Sequence, residues 1–174
     1  MKKLLSLLLA AALLLALTAC GETDKPADTS SEAPVSSKEP VNIAAADLAA
    51  LLFKGIEYED DIDLIGETPE ENIEIVAAYY DFDESLLADA AIYMGSNATP
   101  EEICVMKSAT DDVSALKAAA EGRLATRIED FTDYNPEQMP KLDTAVIYTS
   151  GRYVVFSVSG NAEAAMKILK ENLG

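Results

Sequence analysis

Two short apolar runs, residues 144–149 and 152–158, are separated only by Ser150-Gly151. Runs joined by so short a turn pair as an antiparallel hairpin. A second such pair lies upstream, residues 88–94 and 102–107, joined by residues 95–101. A helix follows each pair. Residues 111–133 carry Val113, Leu116, Ala120, Leu124, Ile128 and Phe131 along one stripe. Gly160-Asn161 opens a helix with Ala162, Met166, Leu169 and Leu173 on one face. The chain therefore reads as two strand-turn-strand-helix units. Hairpins make antiparallel neighbours, and strands this apolar need cover on at least one side. The expected fold is α+β: a four-stranded antiparallel sheet with helices packed mainly on one face. Strand order stays open.

Two shorter helices precede the units. Residues 44–53 place Leu48, Leu51 and Leu52 together, and Gly55 fits the end. Thr68-Pro69-Glu70-Glu71 is a helix start, with Thr68 as N-cap, Pro69 in the first turn and Glu71 closing a capping box. Ile73, Val76, Ala77 and Tyr80 give this helix its apolar face. Residues 56–66 read as acidic and irregular, and residues 81–87 as one helical turn.

The N-terminal part has a different character. Lys2 and Lys3 precede an apolar run, residues 4–17, broken only by Ser6. Crossing a bilayer takes about 20 apolar residues, so the run is short for a span and reads as a cleaved signal. Leu17-Thr18-Ala19-Cys20 ends it in the pattern of a lipoprotein signal. Residues 1–19 are the expected signal peptide and Cys20 the expected lipid attachment residue. Two or more acyl chains on Cys20 make a stable anchor where one alone binds marginally. Residues 20–40 continue as a Ser-, Thr-, Pro- and acid-rich tether with almost nothing to bury. Its expected span is about 25 Å. Residues 41–174 suffice for a single domain. The expected location is the outer face of the cytoplasmic membrane, lipid-anchored.

Composition excludes several chemistries. The formal charge is −18, and loss of Lys2 and Lys3 with the signal deepens it by two. Such a surface repels nucleic acid and anionic headgroups. Histidine is absent from the chain, which removes Ser-His-Asp and Cys-His catalysis, histidine-ligated zinc and haem on a proximal histidine. Tryptophan is absent too, which weakens a carbohydrate-binding reading. Once Cys20 is lipidated, Cys104 is the remaining thiol, so no intrachain disulfide forms. It sits in Ile103-Cys104-Val105-Met106, where a cysteine behaves as a small buried hydrophobe.

The acidic run Glu59-Asp60-Asp61-Ile62-Asp63 raises calcium. A calcium loop starting at Asp61 has suitable residues at Asp63 and Gly66, but Ile65 and Asn72 stand where oxygen donors and a bidentate Glu belong. A looser site would draw on Asp60, Asp61, Asp63, Asp81 or Asp83; the favoured reading is a solvated acidic loop. No metal, cofactor or catalytic residue is assigned. Asn97-Ala98-Thr99 has the form of a glycosylation sequon, which a bacterial lipoprotein signal makes redundant. The tyrosines, among them Tyr79, Tyr80, Tyr93, Tyr134, Tyr148 and Tyr153, cannot all be buried equally. The favoured reading is core packing with the hydroxyl reaching water; the alternative is that some sit at an edge where a partner docks.

Residues 79–165 carry YYDFDESLLADAAIYM (79–94), PEEICVMKSATDDVSALKAAAEGRL (100–124) and FTDYNPEQMPKLDTAVIYTSGRYVVFSVSGNAEAA (131–165). These segments resemble a family of uncharacterised Gram-positive bacterial lipoproteins carrying a domain of unknown function. The resemblance implies the fold and the anchor and brings no site residues. The expected function is a non-enzymatic binding or interaction module of the cell envelope, meeting an envelope protein or a small ligand. The alternatives are a carboxylate-dependent envelope hydrolase, with or without metal assistance, and a structural spacer of the envelope.

Overall fold

A computed structural model describes residues 41–174. The expected signal, Cys20 and the tether lie outside the described residues. The chain runs α1 (Ala45–Gly55), β1 (Asp63–Leu64), α2 (Pro69–Tyr80), a 3-10 turn (Glu84–Leu86), β2 (Leu87–Met94), β3 (Glu102–Ser108), α3 (Ser114–Tyr134), a second 3-10 turn (Pro136–Gln138), α4 (Met139–Asp143), β4 (Val146–Ser150), β5 (Tyr153–Val158) and α5 (Ala162–Leu173). The sheet has five strands in the order β1-β2-β3-β5-β4, every neighbour antiparallel. Both expected hairpins form, and β5 inserts between β3 and β4. The expected capping box at Thr68 and Glu71 forms as well.

Two features of the expected fold are corrected. The sheet has five strands, not four, because Asp63–Leu64 within the acidic stretch pairs with Tyr93 and Met94. A two-residue strand has no periodicity of its own and exists only through its partner. Helices also cover both faces rather than mainly one. Alternate residues of β3 serve opposite cores: Ile103 and Val105 face α1 and α5, while Cys104 and Met106 face α2 and α3. β5 divides in the same way, with Val155 on the first side and Val154, Phe156 and Val158 on the second. An unbroken apolar run is what a strand covered on both faces requires. The helices of the two units consequently lie on opposite faces. Residues 136–143, which carried no expected element, form the second 3-10 turn and α4.

A β-bulge in β2 shifts the register between Leu87 and Asp89. Strict alternation would put those two side chains on one face. The extra residue sends Leu87 into the core beneath α2 and α3, while Asp89 reaches α1 on the other side. Ala44, at the N-cap of α1, has no side-chain acceptor, and the Asp89 carboxylate accepts from the Ala45 backbone N–H at 2.7 Å instead.

The domain is entered at one end of the sheet. The Tyr153 hydroxyl donates to the Ile43 carbonyl at 2.7 Å and accepts from its N–H at 3.0 Å. Lys107, opposite Tyr153 in the ladder, donates to the Asn42 side chain. Met94, Glu102 and Val158 stand together at the other end. The five residue steps from Tyr153 to Val158 separate the two ends by about 17 Å.

Candidate functional site

The polar groups concentrate at the sheet end remote from Asn42 and Ile43, around the first residues of β3. Glu102 is the first residue of β3, and Glu101 directly precedes the strand.

Glu102 is fully buried on the α2/α3 side. Arg123 of α3 meets it through two nitrogens, Nη2 at 2.7 Å and Nε at 3.2 Å from Oε2. The Tyr80 hydroxyl, at the end of α2, donates to Oε1 at 2.6 Å. The Arg123 guanidinium also lies over the rings of Tyr79 and Tyr80, at 5.5 and 5.8 Å. Burial draws its pKa down, and the charge and hydrogen bonds of Glu102 more than reverse this. The Tyr80 phenol is pushed well up, first by burial and then by the charges of its neighbours. One turn further along α3, Arg127 is buried over Phe131 with its Nε unpartnered. Burial, then the charge of Arg123, lowers its pKa.

Glu101, also buried, ties the acidic loop to α4. Its Oε2 accepts from the backbone N–H groups of Glu59 and Asp60 at 2.8 and 2.9 Å, and from the Thr99 hydroxyl at 3.3 Å. Its Oε1 accepts from Lys141 of α4 at 2.9 Å, and Lys141 also reaches Glu59 at 2.7 Å. Burial opposes the charge on Lys141, but its bonds to Glu59 and Glu101 raise its pKa overall.

Beside this loop, where α1 ends, an open cleft of about 430 Å³ is lined by Phe53, Ile56, Tyr58 and residues 60–63. Phe53 stacks on Tyr93 with centroids 4.9 Å apart, and on Tyr58 at 6.2 Å. Asp60 accepts from the Ser96 N–H and hydroxyl at 2.9 and 2.8 Å.

The sequence-derived candidates separate accordingly. Asp60, Asp61 and Asp63 share the cleft, whereas Asp81 and Asp83 lie beyond α2, in another surface groove. Among the described residues, no three acidic or sulfur side chains are grouped to hold a metal ion. Asn97 occupies a turn at φ +67°, and the Thr99 side chain is buried against Glu101. Tyr80 and Tyr153 are buried, while Tyr79 and Tyr134 are exposed. Cys104 is fully buried, and its thiol pKa is pushed far up, first by burial and then by Glu102. A thiol reagent at pH 8 should leave Cys104 unmodified in the native protein and label it on unfolding. Labelling at native rates of seconds would show an accessible thiolate.

Sequence reasoning did not single out Glu101, Glu102, Arg123, Arg127 or Lys141. A signal existed for the arginines: both fall within the span of the apolar stripe of α3, and Arg127 is buried between Ala120 and Phe131 along it.

The fold and these clusters define an antiparallel sheet between two helical layers, with two buried glutamates tied to cations at one end. The chain belongs to the family described as Domain of unknown function (DUF4358), which matches residues 60–159. That segment contains the whole sheet with α2, α3 and α4; α1 and α5, the layer on the other face, lie outside it. No curated protein and no solved structure matches the chain.

Proposed function

We propose that the protein is a lipid-anchored module on the outer face of the cytoplasmic membrane, held through Cys20, that binds a ligand or partner without transforming it. On this reading the protein is one of the Gram-positive lipoproteins that its sequence resembles. The supporting observation is the placement of the domain's two ends. Residues 42–45 enter at one end of the sheet, and the cleft and both charged clusters occupy the other. The end at which residues 42–45 enter is thus separate from the cleft, which the lead-in leaves open to a ligand or partner. The two buried glutamates at this end are each engaged by a cation, Glu102 by Arg123 and Glu101 by Lys141, so both hold the domain together. Among the described residues no helix is long and apolar enough to cross a membrane.

Cys20→Ser tests the anchor. The wild-type chain should sediment with membranes and incorporate labelled palmitate, and the variant should do neither. Wild-type chain that takes up no palmitate, or variant that takes up as much, would refute lipid anchoring. Crosslinking on intact cells tests the binding role, with recovery of a specific adduct through residues 53–65 as the expected result. Turnover of envelope substrates by the purified chain would replace the binding reading with a hydrolytic one.

A further inference from the structure

We propose that the outer edge of β4 takes up an extended, basic peptide segment of a partner protein as an added strand of the sheet. This edge lies across the sheet from β1 and the cleft, so the proposal goes beyond the reading above and adds a second surface to it.

The ladder shows which groups of β4 face outward. The Arg152 carbonyl accepts from the Ser108 N–H, so the even-numbered residues of β5 bond to β3. The odd-numbered ones, Tyr153, Val155 and Ser157, bond to their partners Ser150, Tyr148 and Val146 in β4. The N–H and C=O groups of Ile147 and Thr149 therefore point away from the sheet, and no group among the described residues bonds to them. The two edges of the sheet differ. On the β2 side, the two-residue β1 pairs with Tyr93 and Met94, a bulge breaks the register between Leu87 and Asp89, and Asp89 itself is charged. Short strands, bulges and charges are how native proteins blunt a sheet edge. The edge at β4 lacks these devices. It reads Val-Ile-Tyr-Thr-Ser, without charge, proline or glycine, and its register against β5 is unbroken. Val, Ile, Tyr and Thr all favour strands. An open, regular edge of this kind is a template for strand addition.

The strand is also fixed before a guest arrives. The Tyr148 hydroxyl donates to the Gly174 carbonyl at 2.8 Å and the Ser150 hydroxyl to the Leu173 carbonyl at 2.8 Å, so the end of α5 holds one face of β4. Ile147 packs on the opposite face, against the α2/α3 core. Ile147 and Tyr148 both stay half-buried, which leaves apolar surface on each face for the alternate side chains of a neighbouring strand. Such preorganisation removes much of the ordering cost of binding. Charge selects the occupant. The chain carries −18, and its cations Arg123, Arg127 and Lys141 are buried or held in ion pairs. Lys167 and Lys170 of α5 are balanced by Glu163 and Glu171. Asp143 stands exposed just ahead of β4, while Arg152, beyond its other end, is turned to the Ser108 carbonyl. A second copy of this chain brings the same negative charge and is repelled, whereas a segment rich in lysine or arginine is drawn in.

The test uses the full lipidated chain in neutral detergent micelles, followed by amide NMR shifts during titration with the peptide acetyl-Lys-Val-Lys-Val-Lys-Val-amide. The same peptide with Glu in place of Lys is the charge control. The lysine peptide should shift the amides of residues 146–150 and slow hydrogen exchange at Ile147 and Thr149, binding at least about tenfold more tightly than the glutamate peptide. Thr149→Pro removes an outward N–H without touching the ladder to β5, and should weaken binding about tenfold. Thr149→Lys, at an exposed position, keeps the backbone intact and should weaken binding about three- to fivefold by repulsion. Equal binding of the two peptides, shifts confined to other surfaces, or undiminished binding by either variant would each overturn the proposal. So would concentration-dependent protection of Ile147 and Thr149 without peptide, which would assign the edge to a second copy of the chain. If the peptide fails while a specific adduct through residues 53–65 is recovered, the proposal for β4 falls and the binding reading stands at the cleft.

Discussion

Glu102→Ala is expected to destabilise the domain by about 3–5 kcal/mol, the usual consequence of stranding one member of a buried ion pair. The substitution leaves the Arg123 guanidinium, whose side chain is only 11% exposed, without its carboxylate. It also removes the acceptor of the buried Tyr80 hydroxyl. A cavity forms on the core side of β3, where Cys104, Phe156 and Tyr80 meet. Urea denaturation should show this as a lower midpoint at unchanged slope. Replacing the whole group with apolar residues, as Glu102→Leu with Arg123→Met and Tyr80→Phe, should recover most of the loss, because no unpaired charge remains. A loss below about 1 kcal/mol for Glu102→Ala alone would mean the pair is worth no more than a surface contact.

Glu101→Ala is the second large effect, expected at about 2–4 kcal/mol from several donors losing one shared acceptor. Its consequence is local in a way that of Glu102 is not. The backbone N–H groups of Glu59 and Asp60 both bond this carboxylate, so they should lose hydrogen-exchange protection while amides of Val105 and Val155 keep theirs. Retained protection at Glu59 and Asp60 would refute the role assigned to Glu101. Acid should loosen the same corner. The hydrogen bond from Lys141, then that from Gln138, holds the Glu59 carboxyl below its ordinary value of 4.5. A depressed folded value means the contribution is present above the unfolded pKa and is lost as pH falls through the folded one. Lys141 should therefore part from Glu59 below about pH 4.5, visible as a shift of its side-chain resonances.

The parts of the fold that were legible in sequence share one property: their signal is local. Ser150-Gly151 declares a hairpin, Thr68 and Glu71 declare a helix start, and the stripe from Leu116 to Phe131 declares α3. What escaped depends on partners distant in sequence. Asp63–Leu64 is a strand only because Tyr93 and Met94 lie beside it. Burial of both faces was written in Ile103-Cys104-Val105-Met106, whose lack of alternation already pointed to two covers. The charged clusters escaped for a related reason. A glutamate at the start of a strand and an arginine on a helix each read as solvent-facing until the fold brings them together. The acidic loop was visible as acidic, but its aromatic wall is assembled from α1, the loop and β2.

The grip of Tyr153 on Ile43 also has a mechanical meaning. Any pull applied through residue 41 reaches the domain at a strand interior to the sheet, through a hydroxyl bonded to both polar groups of one residue. Load is then shared by the ladders on either side of β5 rather than peeling an edge strand. The first element to yield would be the short lead-in before α1, and the cleft at the far end would keep its shape while it did.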